Sequence, residues 1–214
     1  FTPANKAELK SKIDDCLASN DDLSSETGEC PFFLFEYGYA LDGEWVGVVI
    51  GAFDVSRVTD MEALFSGEKE FNQPLGAWDV SKVTSMNSMF MGSYTGGHKF
   101  HQPLGEWDVS SVTDMESMFN GLSPSKGAMF NHPLEAWDVS NVGHMVSMFQ
   151  YAFDFNQPLQ AWDISSVTEM RIMFFHAYEF NQPLNAWDVS RVTSMDKCKG
   201  TLFVSASYIY VSNS

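Results

Sequence analysis

Residues 71–90 read FNQPLGAWDVSKVTSMNSMF, and this stretch decides the fold because the chain repeats it. Close copies of its first five residues begin at Phe100, Phe130, Phe155 and Phe180. A tryptophan follows in every copy, at Trp78, Trp107, Trp137, Trp162 and Trp187. Phe53 holds the tryptophan's place in a degenerate first copy, and the intervals from Phe53 onward are 25, 29, 30, 25 and 25 residues. Such self-similarity indicates a repeat protein whose units bury their apolar faces against one another.

Each repeat carries two periodicities in succession. Trp78 and Val80 alternate with polar residues, and alternation of period two predicts a short strand. Met86, Met89 and Phe90 follow at the i, i+3, i+4 spacing of one helical face. Thr84 stands where the N-cap of such a helix belongs. The sequence therefore predicts one short strand and one short helix in each repeat, with the strands stacked into a parallel sheet.

The repeat also resembles a known family. The segment Leu-x-x-Trp-x-Val-x-x-Val resembles the strand motif of leucine-rich repeats, and its continuation Val-Thr-x-Met-x-x-Met-Phe is similar to the BspA-like branch of that superfamily. The same repeat defines a domain of unknown function first described in mycoplasma lipoproteins. The resemblance covers about residues 53–196. It implies a right-handed α/β solenoid on a cell surface or in the secreted space, adhesion or ligand binding, and no enzyme activity.

The predicted fold class is thus α/β, a leucine-rich-repeat-like solenoid with short parallel strands, short helices and an N-terminal helical cap. Residues 1–50 are predicted to form the cap, because Ala7, Leu9, Ile13 and Leu17 fall at near-helical spacing. About six repeats fill residues 51–196. Residues 197–214 lack repeat character and are predicted to be a degenerate C-terminal cap or tail.

Composition narrows the function classes. The chain has 214 residues, 28 acidic against 12 basic side chains, and a net charge of −16. Such a field repels phosphate backbones and anionic lipids, so we expect no nucleic-acid partner. The most apolar stretch, 31–53, is interrupted by Glu36, Asp42 and Glu44, and we expect no membrane insertion. Cys16 and Cys30 are either bridged, as in a secreted protein, or two buried thiols.

An acidic ladder is the first candidate site. One register of the repeat holds an aspartate in each full copy: Asp79, Asp108, Asp138, Asp163 and Asp188. Carboxylates and the neighbouring serine hydroxyls are hard oxygen ligands, so this ladder could bind Ca²⁺ or a cationic ligand. Alternatively, each aspartate accepts hydrogen bonds from nearby backbone or serine groups and is structural. No other cofactor is expected.

Two insertions are the preferred candidate site. Residues 91–99 and 120–129 lengthen two consecutive repeats, so the two loops must project side by side. Binding residues often lie on loops held by a scaffold. The candidate binding residues are Tyr94, His98, Lys99, Ser123, Ser125 and Lys126. The alternative is tolerated drift in surface loops.

The remaining polar motifs are predicted to be structural. Asn72, its equivalents and the following glutamine recur as a ladder that could be a recognition stripe, or could satisfy turn backbone groups. No histidine accompanies a serine or cysteine in a nucleophile motif. We therefore expect a non-enzymatic surface or secreted interaction or adhesion module with a protein or glycan ligand. The alternative is a calcium-dependent or purely structural surface-layer module.

Overall fold

The computed structural model describes residues 1–18, 29–30 and 48–198. In chain order it contains helix α1 (Lys6–Ala18), strand β1 (Glu29–Cys30), strand β2 (Val48–Val49) and a 3₁₀ turn over Ile50–Ala52. β1 and β2 pair antiparallel. The predicted C-terminal cap or tail, apart from its first two residues, lies outside the described residues. No described helix is long and apolar enough to cross a membrane.

Helix α1 covers the first repeat. Asn5 begins it: the Asn5 side chain accepts the Glu8 N–H at 3.1 Å, and the Glu8 carboxylate accepts the Ala4 N–H at 2.9 Å. Leu9 and Ile13 are fully buried in the common core. Lys6 pairs with Asp60 of the first repeat at 2.8 Å. The helix thus closes one end of the stack of repeats.

The repeats stack through backbone hydrogen bonds between neighbouring copies. The N–H groups of Met86, Ser88 and Phe90 donate to the carbonyls of residues 114, 116 and 118 in the next repeat, at 2.8–2.9 Å. Single parallel bridges link one register of six repeats: Asp60, Ser85, Asp114, His144, Glu169 and Ser194. The aligned peptide groups satisfy backbone polarity that a repeat could not satisfy within itself.

The predicted α/β solenoid of the leucine-rich-repeat type is wrong. Residues 53–198 contain no α-helix, and their β-structure consists of isolated bridges, so the predicted short helices and the parallel sheet of short strands are absent. The predicted strand at Trp78–Val80 is a pair of turns instead: Trp78 N–H donates to Leu75 O and Val83 N–H donates to Val80 O.

The predicted helix fails for a backbone reason. Ser88 has a φ of 56°, and the equivalent residues Ala63, Ser117, Ser147 and Ile172 are also left-handed. A left-handed residue interrupts an α-helix, and the Ser88 N–H donates to Glu116 of the next repeat. Tight turns, such as the one closed by the hydrogen bond from Met89 N–H to Met86 O, point the methionines into the core. The methionines therefore recur at the three-residue spacing that an α-helix would also give. Thr84 is not an N-cap, because its hydroxyl donates to Thr59 O of the preceding repeat.

The core consists of columns of equivalent side chains. Phe90 stacks on Phe100 of the following turn at 4.0 Å and on its own equivalents, Phe65 and Phe119, at 5.6 and 5.7 Å. The tryptophans of the five full repeats, Trp78 to Trp187, each donate the indole N–H to a carbonyl one repeat earlier, as Trp107 does to Leu75 at 3.0 Å. Burial of large aromatic side chains is strongly stabilising. The side-chain columns thus hold the backbone in register while the turns point polar residues outward.

Candidate functional site

The aspartate row is built from local turns. Asp79 Oδ1 accepts both the N–H of Ser81, at 3.1 Å, and its hydroxyl, at 2.6 Å. The same pair of bonds forms at Asp54, Asp108 and Asp138. Hydrogen bonds from Ser81 hold the pKa of Asp79 below its usual value. These bonds are those of the structural interpretation, in which each aspartate closes a turn.

No metal centre is evident at the described positions. Within residues 1–18, 29–30 and 48–198, no three histidine, cysteine, aspartate or glutamate side chains are grouped so as to hold a metal ion. The carboxylates of the row are spaced one repeat apart, and each has one oxygen engaged by its own serine. The row is therefore an exposed acidic stripe.

The asparagine ladder links consecutive repeats. Asn131 Oδ1 accepts the backbone N–H of Asn156 at 2.9 Å and the Gln157 side-chain amide at 2.9 Å. Asn156 makes the same bonds to residues 181 and 182. Because each Oδ1 is an acceptor in this ladder, the side-chain amide Nδ2 of each asparagine is turned away from it. The bonds through Oδ1 thus give the ladder a structural role between consecutive repeats.

The two insertion loops lie against each other. His98 and Ala128 form a parallel bridge, and Met129 N–H donates to His98 O at 3.1 Å. A Cβ atom on Gly97 would overlap the carbonyl oxygen of Lys126, so the loops approach as closely as a glycine allows. The side-by-side arrangement expected from consecutive insertions is what the structure shows.

His98 and Ser123 lie inside this loop pair. The His98 ring is 2% exposed, with Nε2 3.2 Å from Phe65 O and Nδ1 accepting the Phe100 N–H at 3.0 Å. Burial lowers the pKa of His98 to about 4, so the ring is neutral at pH 7. Ser123 is also buried, and its hydroxyl accepts the Lys126 N–H at 3.3 Å. Both side chains therefore stabilise the loops from inside through hydrogen bonds to backbone groups.

The other four candidates are accessible. Tyr94 is 79% exposed, and Ser125 and Lys126 are exposed on the second loop. Lys99 pairs with Glu70 at 2.5 Å. The Lys99 hydrogen bond holds the pKa of Glu70 below its usual value, and the charges of Lys69 and Lys126 lower it further. The charges of three lysines thus favour the ionised form of Glu70, and Lys99 is the one in direct contact with it.

A pocket of about 500 Å³ adjoins the loops. Its walls are the side chains on either side of the inward-pointing phenylalanines of consecutive repeats: Glu70, Asn72, Lys99, His101, Met129, Asn131 and Asp154. Sites for small ligands have volumes of roughly 300–1,000 Å³. The sequence predicts Lys99 as a binding residue and places Asn72 and Asn131 in a possible recognition stripe, but it does not predict that these side chains meet at one pocket.

The asparagine ladder is interrupted at this pocket. His101 replaces asparagine, and its Nδ1 donates to Met129 O at 3.0 Å, while its ring packs 4.4 Å from His132. The next backbone N–H in the register belongs to Asn131, and it has no hydrogen-bond partner among the described residues. The irregular loops, the broken ladder and the pocket thus coincide.

A family model described as "Mycoplasma protein of unknown function, DUF285" matches residues 44–125 and 99–206. The chain belongs to this family. No curated protein and no solved structure matches it. The DUF285 matches span the repeats, both insertion loops and the pocket. The family description gives no function, so a function can be inferred only from the site.

An aromatic cluster on two later repeats of the DUF285 region was also not predicted from the sequence. Tyr151 stacks on His176 at 4.9 Å, and Phe153 packs on Tyr178 at 5.0 Å. Tyr178 is 49% exposed. Phe153 also borders Gly127 of the second loop. The signal was available, since aromatic side chains recur 25 residues apart at two positions between the phenylalanines of these repeats.

Proposed function

We propose that this chain is a non-enzymatic interaction or adhesion module of a cell surface or secreted protein, as in the BspA-like surface proteins that its repeat resembles. The observation that carries the proposal is the coincidence of the loop pair, the interrupted ladder and the pocket. In a regular stack, an irregular stretch is where selection on something other than stacking would act. The ligand is a protein or a glycan.

Two further features support this proposal. Cys16 is disulfide-bonded, and disulfides persist mainly in oxidising compartments such as the extracellular space. The side chain of Cys30, its expected partner, lies outside what the structure describes. The repeats devote their polar side chains to turns and ladders, which favours a scaffold role over catalysis.

The test is binding of the whole chain to arrays of immobilised glycans and extracellular proteins. In the loop variant, residues 91–99 and 120–129 are each replaced by the five-residue connection found at 150–154. The control variant replaces residues 175–179 with the same five residues, which changes sequence but not length. We expect the parent chain and the control to bind and the loop variant to lose binding while keeping a cooperative unfolding transition.

A milder variant keeps the test decisive if the shortened loops prevent folding. Tyr94→Ala combined with Lys126→Gln removes two exposed side chains and leaves both loop backbones intact. Retained binding in a folded variant would overturn the site assignment. A parent chain that binds nothing on either array would overturn the proposed function.

A further inference from the structure

Four residues next to the pocket form an aromatic–acidic patch: Phe153, Asp154, Tyr178 and Glu179. Asp154 lines the pocket, and Phe153 immediately precedes it in the chain. Phe153 packs on Tyr178 of the next repeat, with ring centroids 5.0 Å apart, and it borders Gly127 of the second insertion loop. Tyr178 is 49% exposed. The second loop, the pocket and the patch therefore meet at residues 153 and 154.

The two acidic residues of the patch occupy the same register in consecutive repeats. Each directly follows one of the two rings, and Glu179 N–H donates to Phe153 O at 3.2 Å. Asp154 and Glu179 are exposed, and neither carboxylate has an ion pair or a hydrogen bond within the part of the chain that the structure describes. Like charges in neighbouring repeats repel each other, and a cation shared between them removes that repulsion.

The pocket itself carries an excess of negative charge. Its lining holds two carboxylates, Glu70 and Asp154, against a single lysine, Lys99. Lys99 is already paired with Glu70 at 2.5 Å, so Asp154 is the uncompensated charge of the lining. An anionic ligand is disfavoured here. The net charge of −16 on the whole chain attracts cationic partners over a longer range.

A cation of the chain itself lies on the same aromatic cluster. Lys197 Nζ is 5.7 Å from the centroid of the Phe175 ring. Phe175 packs against His176, whose Nδ1 is 3.1 Å from the Tyr178 hydroxyl. Ammonium and guanidinium groups are attracted to the faces of such rings. The cluster thus binds one cation from within the chain, and the Tyr178 ring lies exposed beside two carboxylates.

We propose that the aromatic–acidic patch binds an arginine side chain on a basic segment of a partner protein. The guanidinium plane stacks on the exposed ring of Tyr178, and its N–H groups donate to the carboxylates of Asp154 and Glu179. Arginine fits this patch better than lysine, because its planar group stacks on a ring and pairs with two acceptors at once. Met129, 47% exposed in the adjoining pocket wall, offers a flexible apolar contact to the neighbouring residues of the segment. This inference rests on the proposed function and assigns its ligand to the protein class.

Fluorescence anisotropy with the whole chain and three labelled peptides tests the proposal. The peptides are identical glycine–serine sequences that carry two arginines, two lysines or two citrullines, and citrulline keeps the planar shape of arginine without its charge. We expect the arginine peptide to bind about three- to tenfold more tightly than the lysine peptide and at least about tenfold more tightly than the citrulline peptide. Binding of the arginine peptide should weaken as NaCl is raised.

Matched variants separate the patch from the overall negative field of the protein. Asp154→Asn and Glu179→Gln should each weaken binding of the arginine peptide about five- to tenfold. Glu135→Gln is the control, because it makes the same change in net charge at an exposed residue outside the pocket lining, and it should bind as the parent does. Tyr178→Leu changes no charge and should weaken binding by a similar factor, whereas Tyr178→Phe keeps the ring and should retain it.

The carboxylate variants keep the test decisive if Tyr178→Leu does not fold, because Asp154 and Glu179 are exposed. Equal binding of the arginine and citrulline peptides, equal weakening by Glu135→Gln and Glu179→Gln, or full binding by a folded Tyr178→Leu variant would overturn the proposal. If a glycan then bound on the arrays and the loop variant lost it, the interaction function would stand without this partner. The array control at 175–179 keeps a ring at position 178 and a carboxylate at position 179, so it should also bind the arginine peptide.

Discussion

The indole N–H of Trp137 donates to the backbone carbonyl of Leu104 at 2.9 Å, across 33 residues of sequence. Both groups are buried between consecutive repeats. The same bond recurs at every tryptophan of the stack, from Trp78 to Trp187. It explains why the repeat retains tryptophan where a leucine-rich repeat has an aliphatic residue: the indole fills the core and satisfies a buried carbonyl of the preceding repeat.

Replacing Trp137 with phenylalanine should therefore destabilise the chain by more than the loss of apolar area. The Leu104 carbonyl would be left buried without its donor, which costs about 1–3 kcal/mol. The measurement is the free energy of unfolding in urea. Trp187→Phe, at the more exposed end of the stack (7% against 3% exposed), should cost less. Equal effects at both positions would argue against the buried hydrogen bond as the cause.

At the left-handed serines, glycine should stabilise the chain more than alanine does, which is the reverse of the usual order. Ser117 has a φ of 56°, where a side chain is strained and glycine is not. Ser117→Gly should therefore be more stable than Ser117→Ala by up to about 1 kcal/mol. Exposed Ala136, which is not left-handed, is the control, and Ala136→Gly should lose about 0.5–1 kcal/mol. A chain in which Ser117→Ala is the more stable variant would contradict the turn conformation that replaces the predicted helix.

Acid should weaken the loop pair through His98. The folded-state pKa of His98, about 4, lies below the ordinary histidine value of 6.5, so the unfolded chain takes up a proton at a higher pH than the folded chain does. The stabilisation by neutral His98 is complete above pH 6.5 and is lost progressively as the pH falls toward 4, amounting to about 2 kcal/mol by pH 5. Urea unfolding at pH 7 and pH 5 measures this loss. His98→Gln should show a smaller loss than the parent, and exposed His144→Gln should match the parent.

Calcium should leave the aspartate row unchanged. The Oδ1 atoms of Asp79, Asp108 and Asp138 each accept a hydrogen bond from the serine two residues later, and no cation is needed to complete the turn. Thermal unfolding with EDTA and with millimolar Ca²⁺ should give the same midpoint. A rise of several degrees with Ca²⁺ would instead make the row a metal site and favour the calcium-dependent surface-layer alternative.

Side-chain spacing predicted the core but not the backbone. Phe71, Trp78, Val80, Met86 and Met89 are all buried, as their recurrence predicted. The same spacing wrongly predicted a helix, because two successive tight turns also bring residues i, i+3 and i+4 to one face. What distinguishes the two is the left-handed residue and its bond to the next repeat, and neither leaves a hydrophobic signature.

The site was predictable only in outline. Loop length identified the two insertions, and the structure places them together. Residue type could not show that His98 and Ser123 point inward, because polar side chains serve as internal hydrogen-bond partners as readily as ligand contacts. The pocket walls come from repeat positions such as Glu70 and Asn131, which become neighbours only when consecutive repeats are aligned.

Alanine substitutions at Gly67 and Gly97 distinguish the cost of backbone strain from the cost of a steric clash between the loops. Gly97 and Gly67 both have positive φ, at 64° and 80°, so alanine is strained at either position. A Cβ at Gly67 meets nothing within 4 Å, whereas one at Gly97 would overlap the Lys126 carbonyl. Gly97→Ala should therefore destabilise the chain by about 1–3 kcal/mol more than Gly67→Ala in urea unfolding. It should also weaken ligand binding, since the loops would be forced apart. Equal destabilisation by the two substitutions would mean that the loops do not pack together in solution, and the pocket would lose the wall that Lys99 and Met129 provide.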